Sequence, residues 1–329
     1  MIDRARQSSL NIADYLTPDV MDNLAETLDG VIENIQSGCV SEALKAKNGS
    51  GDPTTGSVEY KRFANAKLQD KGTARAQGKG NQVKAKPVTV NIDDDKEIIE
   101  ELQEKDLKLY GIDGMAQKRS KNAKDVIKTY YDRKFFRIAR DAGIQVARGS
   151  GDTVKKIVDR LISTAKVTNN DFIDGVDEDL LALVVNTTYK TELKDYLDSL
   201  PNGTVPSNGA IGMYQSVITY ESNRMPSDVP AMVMLKEEAI ALPNYLSEYD
   251  AEKIPFDDAI ALELFAYSGG QALVPEVILY DCDYVYTKAE IEEFASGTTY
   301  YTYDFGVYTQ VPSSAEFDST ETYYTRADA

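Results

Sequence analysis

The sequence contains no histidine and no tryptophan. Histidine is the commonest general base and the commonest metal ligand, so its absence removes the usual catalytic-triad base and most imidazole sites. Carboxylate, lysine or tyrosine chemistry stays open, but this composition disfavours an enzyme. We therefore predict no catalytic residues, no cofactor-binding residues and no metal ligands.

Cysteine and long apolar runs are also scarce. Cys39 and Cys282 have no metal or redox spacing, and two free thiols fit a reducing compartment. The longest apolar runs, Leu180–Val185 and Ala231–Leu235, are far shorter than the ~20 residues that span a bilayer. The first stretch, MIDRARQSSLNIADYL, has no apolar signal-peptide core. We predict no membrane contact and folding in a cytoplasm.

The charge is acidic overall but unevenly distributed. The net charge is −18, yet residues 58–86 hold eight basic and two acidic residues, and residues 115–140 hold nine basic and two acidic residues. Two cationic strips on an anionic protein permit attraction between copies of the chain, or contact with nucleic acid.

The first cationic strip predicts a long β-hairpin over residues 58–92. SVEYKRFANAKL leads outward, KGTARAQGKGN forms a polar tip, and VKAKPVTVNID returns with apolar residues alternating at Val88, Val90 and Ile92. Such an arm has too little apolar content to be stable without a partner. The anionic body of another copy is a suitable partner, and such head-to-tail contacts close into rings or shells.

Helices are predicted on both sides of this hairpin. Residues 1–45 have an amphipathic pattern, and the linker-like stretch Lys47–Ser57 follows them. Lys96–Leu109 predicts a short acidic helix. Asp113 is the predicted N-cap of a helix of about 30 residues, some 45 Å long, that ends before Gly143.

Three further patterns have alternative interpretations. The basic face of residues 115–140 is interpreted as a solvated helix face, with weak nucleic-acid contact and sequence-specific reading as the alternatives. Asp93–Asp95 is interpreted as a helix start, with a divalent cation site as the alternative. The two GSGD stretches, at residues 49–52 and 149–152, are interpreted as a linker and a cap because neither has a phosphate-loop pattern.

The second half predicts a mixed α/β region. A helix begins near Thr153, and the buried strand Leu180–Val185 precedes a helix from about Tyr189. PNGTVPSNGAIG reads as a loop, and YQSVITYES and SDVPAMVML each contain a strand. The stretch FDDAIALELFAYSGGQALVPEVILYD predicts a hairpin with its turn at Ser268–Gly270 and an edge or bulged strand at Pro275.

The order of these elements resembles that of the major capsid proteins of tailed bacteriophages, which have the Hong Kong 97-type capsid fold. The elements that carry the resemblance are the basic hairpin returning through KPVTVNID, the long helix ending KFFRIARDAG, the strand and helix LLALVVNTTYKTELKDYL, and the late hairpin. The resemblance implies an α+β fold with these parts: an N-terminal arm (1–56), an E-loop hairpin (57–92), a peripheral domain with a spine helix (93–149), an axial domain (150–255) and a return hairpin of the peripheral domain (256–282).

The resemblance also implies a structural protein that is not an enzyme. Copies would self-assemble through hexamers and pentamers into an icosahedral head enclosing double-stranded DNA, in a virion assembled in the host cytoplasm. Further implied partners are scaffolding, portal and decoration proteins, and packaged DNA bound non-specifically at the inner face. The implied contacts with a neighbouring subunit are the basic residues of the E-loop: Lys61, Arg62, Lys67, Lys71, Arg75, Lys79, Lys84 and Lys86.

Residues 283–329, the C-terminal appendix, lie beyond the last element that the resemblance needs. The pattern F-x-S-x-x-T-Y-Y-T occurs at Phe294–Thr302 and again at Phe317–Thr325, and a VYT phrase precedes each copy. These β-prone repeats predict a small duplicated β appendix, with a hairpin turn near Gly306. Its tyrosines either form an interaction surface or pack the appendix and cover a neighbour: Tyr300, Tyr301, Tyr323 and Tyr324.

Two other functions remain as alternatives. A phage tail, baseplate or other surface-binding module would use the C-terminal repeats to recognise a cell-surface or carbohydrate ligand, and would form trimers or small oligomers. An enzyme using carboxylates or lysine would need clustered acids in a deep pocket.

Overall fold

The helices and strands follow from a computed structural model that describes the following residues: 39–66, 68, 70–73, 83–103, 112–147, 152–197, 210–247, 250–253, 259–282, 284–291, 293–295, 297–304, 307–312 and 317–328. The helices are α1 (Val40–Leu44), α2 (Ile112–Ala142), α3 (Val154–Lys166) and α4 (Thr187–Leu193). The strands are β1 (Ser57–Phe63), β2 (Ala85–Gln103), β3 (Ile144–Ala147), β4 (Leu181–Val185), β5 (Ala210–Tyr214), β6 (Val217–Glu221), β7 (Ala231–Leu235), β8 (Ile240–Ala241), β9 (Asn244–Leu246), β10 (Asp250–Lys253), β11 (Ala259–Gly269), β12 (Gln271–Ala272), β13 (Leu279–Cys282), β14 (Tyr284–Lys288), β15 (Tyr300–Asp304), β16 (Val307–Gln310) and β17 (Tyr323–Asp328).

The predicted basic hairpin is present as β1 and β2. The two strands pair antiparallel from Ser57 with Asn91 to Phe63 with Ala85. We call residues 57–92 the hairpin arm. Most of the amphipathic helix predicted for residues 1–45, and the outer part of the arm's tip, lie outside the described residues.

β2 continues past the arm as one strand of 19 residues. Its second half pairs antiparallel with β11, from Ile92 with Gly269 to Gln103 with Ala259. The sheet order is β1-β2-β11-β10, with β9 also paired to β11. One strand therefore joins the arm to the body of the protein.

The acidic helix predicted for Lys96–Leu109 is wrong over residues 96–103, which belong to β2. Lysine, glutamate and leucine favour helix in isolation, but propensity is a weak prior when a distant strand offers a continuous partner. The helix-start interpretation of Asp93–Asp95 is wrong for the same reason, because these residues lie in mid-strand. The described residues contain no group of three or more metal-ligating side chains.

A six-stranded sheet of order β3-β13-β7-β4-β6-β5 forms the second body sheet. Every residue of β4 and β7 is buried, which explains the uninterrupted apolar runs LALVV and AMVML. α3 begins at its predicted cap, because the Thr153 hydroxyl accepts a hydrogen bond from the backbone N–H of Lys156. The predicted loop PNGTVPSNGAIG is wrong at residues 210–212, which belong to β5, and the rest of it lies outside the described residues. β5 and β6 are joined by a turn at Gln215 and Ser216, both with positive φ.

The hairpin predicted for residues 256–281 is wrong. β11 ends at Gly269, β12 pairs with β8, and β13 joins the other sheet between β3 and β7. Gly269 is required for close approach: an added Cβ would lie 2.1 Å from the carbonyl oxygen of Asn91 on β2. Pro275 begins a short 3-10 helix, Pro275–Val277, and is not in a bulged strand.

The long helix is confirmed as α2, which has 31 residues. Asp113 lies inside the helix, so it is not the N-cap. An apolar stripe of α2 is buried at Ala123, Ile127, Tyr131 and Phe135, and it packs into the main core. Among the described helices, none has the length and apolar character needed to cross a membrane.

Candidate inter-subunit surfaces and the C-terminal appendix

The base of the hairpin arm is fixed to its own chain by Arg62. Nη1 of Arg62 lies 3.2 and 3.1 Å from the two carboxylate oxygens of Glu276, and the guanidinium stands 4.7 Å from the centre of the Phe172 ring. The backbone N–H of Asn65 also donates to the carbonyl of Asp171. Where the sequence predicted a neighbour contact for Arg62, the structure gives it partners in its own chain.

Beyond this base, the arm presents apolar and basic side chains to solvent. Phe63 is 57% exposed, Leu68 is fully exposed and Val83 is 77% exposed. The exposed cations Lys71, Lys84 and Lys86 form no ion pair within the described part of the chain, whereas Lys61 lies 3.5 Å from Glu59. Lys67, Arg75 and Lys79 fall outside the described residues. Exposed apolar area of this kind is typical of an interaction surface.

Just past the arm, β2 is fixed to α2 by a buried lysine. Nζ of Lys134 lies 2.8 Å from the Asp94 carboxylate of β2, and 3.2 and 3.0 Å from the carbonyl and hydroxyl oxygens of Ser268 on β11. The Tyr130 hydroxyl also donates to Asp94. Partial burial raises the pKa of Asp94, but hydrogen bonds from Lys134, Lys96 and Tyr130 outweigh it and hold that pKa well below its usual range.

A second buried contact holds the segment before the arm. Asp132 of α2 accepts hydrogen bonds from the backbone and side chain of Ser41 and, on its other oxygen, from Arg224 at 2.6 Å. Burial, and then the charge of Asp132, raise the pKa of the Cys39 thiol to about 12, so this thiol stays neutral. Asp132 thus ties α1 and the loop after β6 to the long helix.

The exposed face of α2 carries several cations. Lys121, Arg133 and Arg137 are exposed and Lys128 is half-buried, and none of them forms an ion pair within the described residues. This fits the predicted solvated basic face, and it leaves phosphate contact open as the alternative.

The C-terminal appendix is a four-stranded antiparallel sheet of order β14-β17-β15-β16. Each sequence repeat supplies two strands, β14 with β15 and β16 with β17. Strands of the same repeat do not pair: β14 pairs with β17, and β16 pairs with β15. At the centre, Tyr301 lies opposite Tyr324, so the pairing register is symmetric about this point.

The two repeats make the same contacts. The ring of Phe294 lies 5.1 Å from that of Tyr300, and Phe317 lies 5.4 Å from Tyr323, with interplanar angles of 32° and 34°. Each tyrosine hydroxyl accepts a backbone N–H from the residue after its phenylalanine, at 3.2 and 3.1 Å. The two phenylalanine rings meet edge to face at 5.5 Å. The predicted duplication is therefore a pseudo-two-fold arrangement in the structure.

The appendix tyrosines are mostly internal. Tyr300, Tyr301 and Tyr323 are buried, and Tyr324 is half-buried. The prediction that these residues form the appendix surface was therefore wrong for the first three, and the alternative that they pack the appendix is correct. For Tyr300 and Tyr323 the physical reason is that the phenylalanine of each repeat packs over the tyrosine of its own TYYT strand.

Solved structures provide the match that sequence comparison does not. No protein-family model and no curated protein matches the sequence. The capsid structure of the cyanophage P-SCSP1u aligns with a TM-score of 0.53 at 13% identity, over 75% of this chain and 88% of that one. The native GTA particle capsid gives 0.52 at 9% identity, over 74% and 89%. The capsid of Ralstonia phage GP4 gives 0.51 at 14% identity, over 69% and 81%. The chain has the fold of phage capsid proteins.

Within this capsid fold, sequence reasoning found the hairpin arm and the long helix, but it missed the contacts that hold them together. Lys134 sits beside Phe135 in the buried part of α2, and a lysine next to an apolar stripe is a signal that a buried partner exists. Arg62 gave no such signal, because its partner Glu276 lies more than 200 residues away.

Proposed function

We propose that the chain is the major capsid protein of a tailed bacteriophage, and that many copies assemble into an icosahedral head around double-stranded DNA. The observation that most supports this proposal is the fold likeness to three capsid structures, each with a TM-score above 0.5 and at least 81% of its chain covered. The proposed role is structural, and the proposed location is the virion.

The proposed assembly contact is the hairpin arm lying on a neighbouring copy. Phe63, Leu68 and Val83 would be buried there, and burial of each large apolar side chain contributes about 1.5–3 kcal/mol. Lys71, Lys84 and Lys86 would meet acidic surface, which the net charge of −18 makes abundant. Each contact is modest, but a closed shell repeats it in every subunit.

The parts of the chain take the roles that the resemblance implies. Residues 57–92 would be the E-loop, and 93–149 the peripheral domain, with α2 as its spine helix. Residues 150–255 would be the axial domain at the centre of hexamers and pentamers, and 256–282 would return to the peripheral domain as separate strands of three sheets. Residues 283–329 would be an appendix on the shell.

The proposed contact with packaged DNA is electrostatic and non-specific. The exposed α2 cations Lys121, Arg133 and Arg137, which form no ion pair among the described residues, suit phosphate oxygens, and such contacts weaken as salt rises. Scaffolding, portal and decoration proteins complete the proposed set of partners.

Electron microscopy of the protein expressed alone, paired with mass from light scattering, tests the proposal. We expect hexamers, pentamers, tubes or closed shells. A stable trimer or monomer, even after addition of a crowding agent, would instead favour the tail or surface-binding alternative.

A further inference from the structure

A groove of about 430 Å³ lies on the appendix where the end of β14 meets the segment that leads into β17. Small-molecule sites usually enclose about 300–1,000 Å³, so this groove has room for a ligand. Two aromatic side chains line it, the buried Tyr323 and the half-buried Phe317, together with the half-buried Ala289 and Ile291. Its remaining lining includes the exposed side chains Lys288, Glu290, Thr320 and Glu321.

One side of the groove is held rigid by a tight turn. Oδ1 of Asp318 accepts hydrogen bonds from the backbone N–H and the hydroxyl of Thr320, at 2.8 and 2.7 Å. The backbone N–H of Glu321 donates to the carbonyl of Asp318. The Thr320 hydroxyl, and then its backbone N–H, lower the pKa of Asp318, so this carboxylate stays charged in mildly acidic conditions. The turn therefore presents its polar groups in a fixed arrangement.

The other repeat provides an internal comparison for this groove. It keeps the aromatic pair, Phe294 with Tyr300, and the same turn, in which the N–H of Thr298 donates to the carbonyl of Ala295. The strand ends also correspond, because Ala289 and Val311 each donate a backbone N–H to the matching tyrosine carbonyl at 2.8 Å. The packing residues are thus the same in both halves.

The residues around the groove differ between the two halves. Where the groove lining has Thr320 and Glu321, the other repeat has Gly297 and Thr298, and Asp318 of the adjoining turn corresponds to Ala295. At the strand ends, Lys288 and Glu290 stand where the other repeat has Gln310 and Pro312. Packing alone does not require this difference, because both halves pack alike. The charged residues Lys288, Glu290 and Glu321 are therefore not required for the fold of the appendix.

The charged side chains of the groove are also not used internally. Lys288, Glu290 and Glu321 form no ion pair within the described residues, although all three line the same groove. Three charged groups that line one groove beside an aromatic pair, and that form no ion pair with any described residue, are available to a ligand.

We propose that this groove binds a saccharide. Carboxylates such as Glu290 and Glu321 accept hydrogen bonds from pairs of neighbouring hydroxyl groups, and Lys288 donates to hydroxyl or ring oxygens. The ring of Phe317 offers an apolar face to the C–H face of a sugar. The mixture of both charge signs with hydroxyls and an aromatic ring suits a neutral polyhydroxylated ligand better than an ionic or a purely apolar one. This inference goes beyond the proposed capsid function and does not depend on it.

The test uses the full chain, both unassembled and as particles, on an array of defined oligosaccharides that includes N-acetylglucosamine tetramers, maltoheptaose and galactose-terminated chains. We expect retention of at least one saccharide class by both forms. The retained saccharide is then titrated by calorimetry against a Lys288→Gln/Glu321→Thr double variant, which carries the residues of the other repeat. We expect binding about tenfold weaker or worse, equivalent to about 1.4 kcal/mol, with an unchanged melting temperature.

A matched control places the charges on the other half, with Gln310→Lys and Thr298→Glu, and should leave binding at the original groove at least as strong. Failure of the folded chain to retain any saccharide would overturn the proposal. Binding that is equal in the Lys288→Gln/Glu321→Thr variant would also overturn it, as would retention on a peptide array alone. Because particle formation is scored separately by microscopy, loss of saccharide binding and failure of the capsid proposal are distinguishable.

Discussion

Arg62 holds both carboxylate oxygens of Glu276, although the two residues lie in different parts of the chain. The side chain of Arg62 is only 16% exposed, and that of Glu276 is 35% exposed. The pair therefore acts as a partly buried clamp at the point where the hairpin arm leaves the body.

Replacing Arg62 with lysine should loosen the arm while leaving the body folded. Lysine keeps the charge but loses the planar guanidinium, and with it most of the stacking on Phe172 and the fixed orientation of the nitrogen that contacts both oxygens of Glu276. We expect a loss of about 1–2 kcal/mol in local stability, since hydrogen bonds to charged groups contribute about 1.5–3 kcal/mol and this pair is partly solvated. Hydrogen–deuterium exchange of residues 57–66 should rise. The matched control is Lys61→Arg, whose side chain is exposed; equal exchange in both variants would contradict the clamp.

Charge reversal on the arm should block assembly without unfolding the protein. Lys71, Lys84 and Lys86 are exposed and unpaired within the described residues, so their replacement by glutamate removes no internal contact. If the arm meets acidic surface on a neighbour, three new negative charges there will repel it. Sedimentation should show a folded monomer in place of particles.

A matched reversal elsewhere controls for net charge. Lys155, Lys156 and Lys194 are also exposed, and their replacement by glutamate changes the net charge by the same amount. We expect this variant to assemble better than the arm variant. Normal particles from the arm variant would show that its cations are not an assembly contact.

Asp94→Asn should destabilise the body at neutral pH. It leaves the buried Lys134 ammonium without its anion, a change that costs about 2–4 kcal/mol in comparable partly buried pairs. The pKa of Asp94 is lower in the folded state than in the unfolded state. Its contribution to stability is therefore fully present above the unfolded pKa of about 4, and it is lost as pH falls below that value toward the folded pKa.

Urea unfolding at pH 7 and at pH 3 measures this effect. The difference between wild type and Asp94→Asn should be largest at pH 7 and should shrink at pH 3. Asp93→Asn is the control, because Asp93 is the exposed neighbour in the same strand. A difference that is independent of pH would mean that Asp94 does not act through its charge.

The two repeats of the appendix should respond equally to the same substitution. Tyr300→Phe and Tyr323→Phe each remove a hydroxyl that accepts one backbone N–H, at 3.2 and 3.1 Å. Each variant should cost about 1 kcal/mol, and the costs should be similar. Limited proteolysis of the appendix, followed by mass spectrometry, measures both. A loss of stability in only one variant would show that the two repeats, although similar in geometry, do not contribute equally to the stability of the appendix.

Elements with strong local periodicity could be predicted from the sequence, and elements defined by distant partners could not. α2 repeats its apolar residues every fourth position, and β4 and β7 are uninterrupted apolar runs, so each carries its own signal. The second half of β2 has residues that favour a helix. It forms a strand because it pairs with β11, which lies some 160 residues later in the chain, and the local sequence does not show that pairing. Ser268–Gly270 reads as a turn, but Gly269 is there because the backbone of Asn91 leaves no room for a side chain.

The charged residues of the surface could also be predicted only in part from the sequence. Charge counting located the arm and the basic face of α2, since both are properties of the local sequence. It could not tell which cations are used internally, and Arg62 and Lys134 are fixed by acids that are remote in the chain. The repeat could be found in the sequence, but the pairing of its strands could not. Strands of different repeats pair with each other, and this pairing does not change the residue pattern of either repeat.

The 19-residue strand β2 can transmit force from the arm to the body. At about 3.3 Å per residue the strand is about 60 Å long, and it is hydrogen-bonded to β1 at one end and to β11 at the other. A load applied to the outer end of the arm therefore travels along a stiff rod to Asp94, and from there to Lys134 on the long helix. Near Ile92 the partner of β2 changes from β1 to β11. A pull on the arm would therefore load two anchors at once, the Arg62–Glu276 pair on β1 and the Asp94–Lys134 pair just past this change of partner.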